Sequence, residues 1–190
     1  MITNLKLLVY QLKQGYAGEY APNVETIWDQ QEIDGNSEGW RERVETAYKG
    51  IAGGSYENVA VLSVAVSEDQ LYGAPATPLP ADPEWLPSHP GQYGVRLIVG
   101  EVSDGETWRT IVDSWDAYVL EENGEGFQQK LEQEKAKVGS YYNWLKVVDL
   151  YLPEAAIDDA LAPWQAVHMG ELVPAAAAEQ SVDRDRSVEL

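Results

Sequence analysis

The sequence predicts an α+β fold: a mixed sheet flanked by helices, forming one domain over residues 1–173. Three observations predict it. The runs NVAVLSVAVS at Asn58–Ser67 and YGVRLIVGEV at Tyr93–Val102 are apolar on both faces, the pattern of strands covered from two sides. Between and around them, apolar residues recur at helical spacing behind capping residues. Helical and extended segments then alternate irregularly, without the regular strand–helix alternation of a parallel doubly wound sheet.

In chain order, Ile2, Leu5, Leu8, Val9 and Leu12 fall at helical spacing, Thr3 or Asn4 can cap them, and Gly15 ends the pattern. Val24–Trp28 is β-prone, and Asp34-Gly35-Asn36 reads as a turn. Ser37 opens a helix whose apolar face is Trp40, Val44, Ala47, Tyr48 and Ile51, stopped by Gly53-Gly54. After the first strong strand, residues 68–92 form an arm with six prolines, Pro75, Pro78, Pro80, Pro83, Pro87 and Pro90. Proline has no amide proton for a sheet ladder and favours extended backbone. A loop this long is uncommon in a compact domain. Trp85 and Leu86 in its middle point to an ordered arm that packs on something. After the second strong strand, Ser103-Asp104-Gly105-Glu106 fits a capping box. Trp108, Ile111, Val112, Trp115, Tyr118 and Val119 fall on one helical stripe, whereas strand alternation would set Asp113 beside Trp115 on one face. Asn123-Gly124 closes that helix. Phe127–Val138 is a charged surface helix anchored by Phe127, Leu131 and Val138. Tyr141–Leu152 suits a strand, Glu154–Leu161 a short helix, and residues 174–190 a mobile acidic and Ala-rich tail. No internal repeat of useful length is visible.

The charge is strongly negative: 32 Asp and Glu against 13 Lys and Arg, net -19. It is spread along the whole chain, so it reads as a solvated surface that repels phosphate. Duplex-DNA binding, which rests on basic contacts to phosphates, is therefore not expected. Cysteine is absent, which excludes disulfides, thiolate catalysis and zinc–thiolate sites. No apolar run approaches the roughly 20 residues that span a bilayer, so no membrane role is expected.

No catalytic motif stands out. Gly-x-Ser-x-Gly, P-loop, dinucleotide-glycine, two-His zinc and EF-hand patterns are all missing. His89 and His168 are isolated in sequence. Asp113 and Asp116 are two among many carboxylates. Asp34, Asn36 and Glu38 could hold calcium, but turns use the same residues for backbone hydrogen bonds. The expectation is no enzyme, no cofactor and no metal site.

Aromatic usage is skewed to 7 Trp and 11 Tyr with one Phe. Both favoured types combine a large apolar body with a polar tip and are enriched at protein interfaces. Trp85, Leu86, Tyr72 and Trp164 are the candidate interface residues, Trp85 foremost as an anchor on an extended arm.

The segments ITNLKLLVYQL, SEGWRERVETAYKGI, NVAVLSVAVS, YGVRLIVGEV and TWRTIVDSWDAYVL, taken in that order, resemble the tail-terminator and neck proteins of tailed phages. The resemblance implies a virion protein assembled in the host cytoplasm. It would form a homo-oligomeric ring between tail and head, contact other virion proteins and have no active site. An acidic lumen would suit passing DNA. The Pro-rich arm and everything after Gly124 depart from that pattern. Two other readings compete: an acidic DNA mimic that occupies a basic nucleic-acid groove, and a small carbohydrate-binding or hydrolytic domain suggested by the aromatic count.

Overall fold

The computed structural model describes residues 1–12, 22–54, 56–168 and 186–189. The class is α+β, with seven strands in two sheets and five helices among these residues. The chain divides into two compact units. One holds residues 4–65 and 153–190, the other residues 1–3 and 66–152.

In the first of these, β1 (Ile2–Leu12) lies between β2 (Pro22–Asp29) and β3 (Tyr56–Ser67). Beyond β3 runs β7 (Arg186–Glu189), parallel to it, which makes the sheet mixed. Residues 174–185 and 190 of the expected tail lie outside the described residues. Residues 186–189, expected to be mobile, are instead a strand, because the outer edge of β3 offers them a ladder. Two helices lead from β2 back to β3: α1 (Gln30–Gly35) and α2 (Ser37–Ala52). Tyr48, Val44 and Ala47 of α2 pack on Leu8, Val59 and Val61 of the sheet.

The segment Ile2–Leu12 is thus a strand, not the helix its spacing suggests. Leu5, Leu7, Leu8 and Val9 are all fully buried, so β1 is covered on both faces and shows no alternation. Such a run mimics helical spacing when every apolar position is counted.

In the other unit β4 (Gln92–Asp104) lies between β5 (Glu106–Asp116) and β6 (Tyr142–Pro153). The stripe from Trp108 to Trp115 is likewise a strand, β5, and the expected capping box is a hairpin. Gly105, at φ 77°, makes its tight turn between the paired Asp104 and Glu106. The juxtaposition that argued against a strand is a hydrogen bond: the Trp115 indole donates to Asp113 at 2.9 Å. The following helix, α4 (Ala117–Lys135), is broken at Asn123 (φ -146°, ψ 54°). Phe127 and Leu131 bury its second segment against Ile98, Val102 and Leu145. The expected arm opens with a short helix, α3 (Glu68–Tyr72), and α5 (Glu154–His168) is longer than its sequence suggests.

Set side by side, the two units are the same design, a repeat that the sequence conceals. Each is a hairpin, a two-segment helix and a third strand on the far side of the hairpin's first strand. Asp29 and Asp116 end the second strand of the hairpin and cap the first helical segment, accepting from the amides of Glu32 and Val119 at 2.8 Å each. Asn36 and Asn123 interrupt the helix with nearly the same backbone angles and cap the second segment. They accept from Gly39 and Gly126 at 3.1 and 3.0 Å. A Cβ at either glycine would fall 2.4 Å from the capping amide as it is placed, so the close seat recurs in both repeats. Trp28 meets Trp40 at a tilt, ring centroids 5.7 Å apart, where Trp115 meets Phe127 edge to face at 5.8 Å. Even the irregularity recurs. The hairpin ladder slips between Leu8 and Val9 and between Ile98 and Val99, and the residues bulged out are Glu25 and Val112.

The helices that trail the repeats are exchanged. In the chain α3 follows β3, yet it groups with the second repeat, while α5 follows β6 and groups with the first.

The last turn of α4 carries a buried polar cluster. Glu134 accepts from the Tyr142 hydroxyl at 2.7 Å and from Lys130 and Lys137 at 3.1 Å. Burial alone would raise the Glu134 carboxyl, but the Tyr142 hydroxyl and the two ammonium groups outweigh it, and it titrates below its ordinary value near 4.5. Burial, then the Glu134 carboxylate, raises the Tyr142 phenol. A carboxyl depressed on folding contributes stability that is complete above its unfolded value and is lost as pH falls through the folded one. Wild type is therefore expected to be more stable than Glu134→Gln near pH ~6, with a smaller gap at pH ~3. Urea denaturation midpoints at both pH values check this, and a gap undiminished in acid would refute it.

Candidate functional site

Residues 73–91 contain all six arm prolines and no regular secondary structure, yet they are fastened along their length. Prolines leave few amide donors, so the arm is held largely through its carbonyls. Pro78 accepts from the Leu145 amide at 2.9 Å, Glu84 from the Arg96 guanidinium at 2.6 Å, and Pro87 from the Tyr151 hydroxyl at 2.9 Å. Lys135 pairs with Asp82 at 3.2 Å, and His89 meets Tyr151 edge to face at 4.3 Å.

Arg96 is the central peg. Its side chain is only 7 % exposed, and it grips Asp149 of β6 through two bonds, at 2.7 and 2.9 Å. The same place in the first repeat is taken by Lys6, which donates to Ser63 at 2.6 Å. Burial lowers the Lys6 ammonium. The second repeat has thus gained a stronger, forked pair just where the arm attaches.

The four sequence-predicted interface residues fare differently. Trp85 lies between the tethered Glu84 and the half-buried Leu86, and is 83 % exposed. Leu86 is the arm's fastening, packed on the core of the second repeat. Tyr72 is not a surface grip. It ends α3 and is buried, with the Arg109 guanidinium 5.4 Å over its ring and Arg109 tied to Glu68 at 2.8 Å. Trp164 lies on α5, and its side chain falls outside the described residues. Leu79, which sequence reasoning passed over, joins Trp85 as an exposed apolar residue on the arm.

A second feature had no sequence signal. On the α2 side of the first repeat a groove of about 360 Å³ is lined by Glu25, Trp28, Arg43, Ala47 and Tyr56 among others. Arg43 donates to one Glu25 oxygen at 2.9 Å. The other oxygen is buried and has no hydrogen-bond partner among the described residues. Burial, then the Glu25 charge, raises the Tyr56 phenol. A bulge aims Glu25 here, and bulges are not legible in a single sequence.

The residues proposed from sequence for calcium have structural duties: Asn36 is a cap, and Asp34 accepts from Gln30. No group of three or more His, Cys, Asp or Glu side chains suited to a metal is found among the described residues. Among those residues, too, no helix is long and apolar enough to cross a membrane. Comparison with protein-family models, with curated proteins and with solved structures finds no match.

Proposed function

We propose that this chain is a non-enzymatic structural subunit that works by docking against further copies of itself. Its station would be the neck or tail-terminator ring that joins tail to head in a tailed phage. The single observation that carries the docking role is Trp85, 83 % exposed on an arm whose neighbours are pinned on either side. A large apolar ring held outward by a rigid support is the arrangement of an interface anchor, because little ordering cost is left to meet on binding. Leu79 extends the same apolar edge. The net charge of -19 opposes self-association at low salt and favours a particle that meets its copies at physiological ionic strength.

Light scattering over a concentration series tests this. The intact chain is expected to rise from monomer to a defined oligomer, more readily as salt screens the charge. Trp85→Ala is expected to remain monomeric while its unfolding free energy stays within about 0.5 kcal/mol of wild type, since the side chain touches little of its own fold. A chain that stays monomeric at every concentration and salt level would end the proposal.

A further inference from the structure

The two repeats close their sheets differently on the outer side of the third strand. In the second repeat that side of β6 meets the Pro-rich arm. The Leu145 amide donates to the Pro78 carbonyl at 2.9 Å rather than to β4, the one strand that neighbours β6. The Lys146 ammonium donates to the Gln70 and Gly73 carbonyls at 2.9 and 2.8 Å, and the Tyr151 hydroxyl to Pro87. Proline has no amide to give a further strand, so an arm with six of them ends the sheet.

In the first repeat the same side of β3 carries β7 instead. Leu62 lies opposite Arg186, Ser63 opposite Ser187, Val64 opposite Val188 and Ala65 opposite Glu189. The pairing is parallel, the weaker kind per residue. β3 needs this cover: Leu62 and Val64 are fully buried, and without β7 the strand would present an open ladder. The cover does not have to come from the same chain. Residues 169–185 separate α5 from β7 in the sequence. That length reaches at most about 60 Å when extended, some twice the roughly 30 Å width of a small domain.

We propose that β7 is exchanged between copies: in the assembled oligomer, residues 186–189 of one chain pair with β3 of a neighbouring chain. This rests on the self-docking reading above, which it extends. An exchanged strand makes the same four pairs as a retained one, so no contact of the fold is lost. What exchange gives up is the tether to its own sheet. Docking through Trp85 offsets that by holding a second β3 edge at high effective concentration. Each copy gives a strand to one neighbour and takes one from another, the head-to-tail pattern that generates rings. The second repeat takes no part, because the arm shuts its edge.

The chain has no cysteine, so an introduced pair reports alone. Ala65→Cys and Glu189→Cys fall in register, on strands about 4.8 Å apart, within the span of a disulfide. Oxidised as an oligomer, the double variant is expected to run on a denaturing gel as a ladder of linked chains. Diluted to monomer before oxidation, it is expected to close within one chain. A mixture of the two single variants is expected to give the 65-to-189 crosslink, identified by peptide mass, as its main product. Light scattering beside each gel separates two failures. Oligomers whose chains stay separate on the gel, self-linked or unlinked, overturn the exchange and leave self-docking standing. A chain that never oligomerises ends both. Where the cysteine variants fail to fold, Val188→Pro decides. It is expected to shorten the oligomer's lifetime at least about tenfold, and an unchanged lifetime overturns the exchange.

Discussion

Asp149→Ala is expected to destabilise the protein by about 3 kcal/mol, the low end of what breaking a buried ion pair costs. The Arg96 guanidinium is almost wholly enclosed and lies 5.8 Å from the Phe127 ring. Asp149 meets it with both oxygens, and the Glu84 carbonyl is a further acceptor. Removing the carboxylate strands a charge that water reaches poorly. Asp149 itself is 28 % exposed, so some water enters and the upper end of the range is not reached. The double change Arg96→Met with Asp149→Leu is expected to recover most of the loss, because an apolar pair of similar volume needs no desolvation. It also removes the bond to Glu84, so the arm of the double variant is expected to be cut faster by protease even where stability has returned. In the first repeat, Ser63→Ala removes only a neutral partner from Lys6 and is expected to cost about 1 kcal/mol. Urea denaturation of the four proteins measures the stabilities, and timed protease digestion of wild type and the double variant measures the arm. Equal losses for Asp149→Ala and Ser63→Ala would refute the account.

Phe127→Ala is expected to cost about 4 kcal/mol, from lost transfer energy and the cavity it leaves. The ring is 1 % exposed and packs edge to face on Trp115, at the centre of the second repeat's core. Its counterpart Trp40 is partly buried at the edge of its core, and Trp40→Ala is expected to cost about 2 kcal/mol, since part of that ring already meets water. Thermal unfolding distinguishes the two. A loss below about 1 kcal/mol at Phe127 would mean that the core collapses into the space, against its close packing.

What the sequence made legible follows from which patterns are local. The two apolar strands, the helix from Ser37 and the Tyr141–Leu152 strand were readable because burial on two faces, a cap and a β-rich run are written in consecutive residues. Residues 2–12 and 106–116 were misread as helices for opposite reasons. The first is central and apolar throughout, so its period is hidden. The second is an edge strand whose bulge at Val112 shifts the alternation. The Asp104-Gly105 pair was the available hairpin signal, outweighed by a coincidental capping pattern. The repeat escaped notice because its halves share roles more than identities. Lys6–Ser63 stands for Arg96–Asp149, and Trp40 for Phe127. Trp85 was legible because a tryptophan among prolines has no helix or strand to bury it. The groove was not, because it depends on a bulge, two small residues and a strand brought together only by folding.

The exchanged helices set an order of events during synthesis. Residues 66–152 hold nearly all of one unit, so it can close while the ribosome is still adding the C-terminal segment. The other unit contains residues 4–65 together with α5 and β7, so its earliest-made strands must wait for the last-made ones. The N-terminal repeat therefore emerges first and is completed last. Until then it exposes the bare edge of β3, and in that interval the nascent chain is most open to pairing with a neighbour.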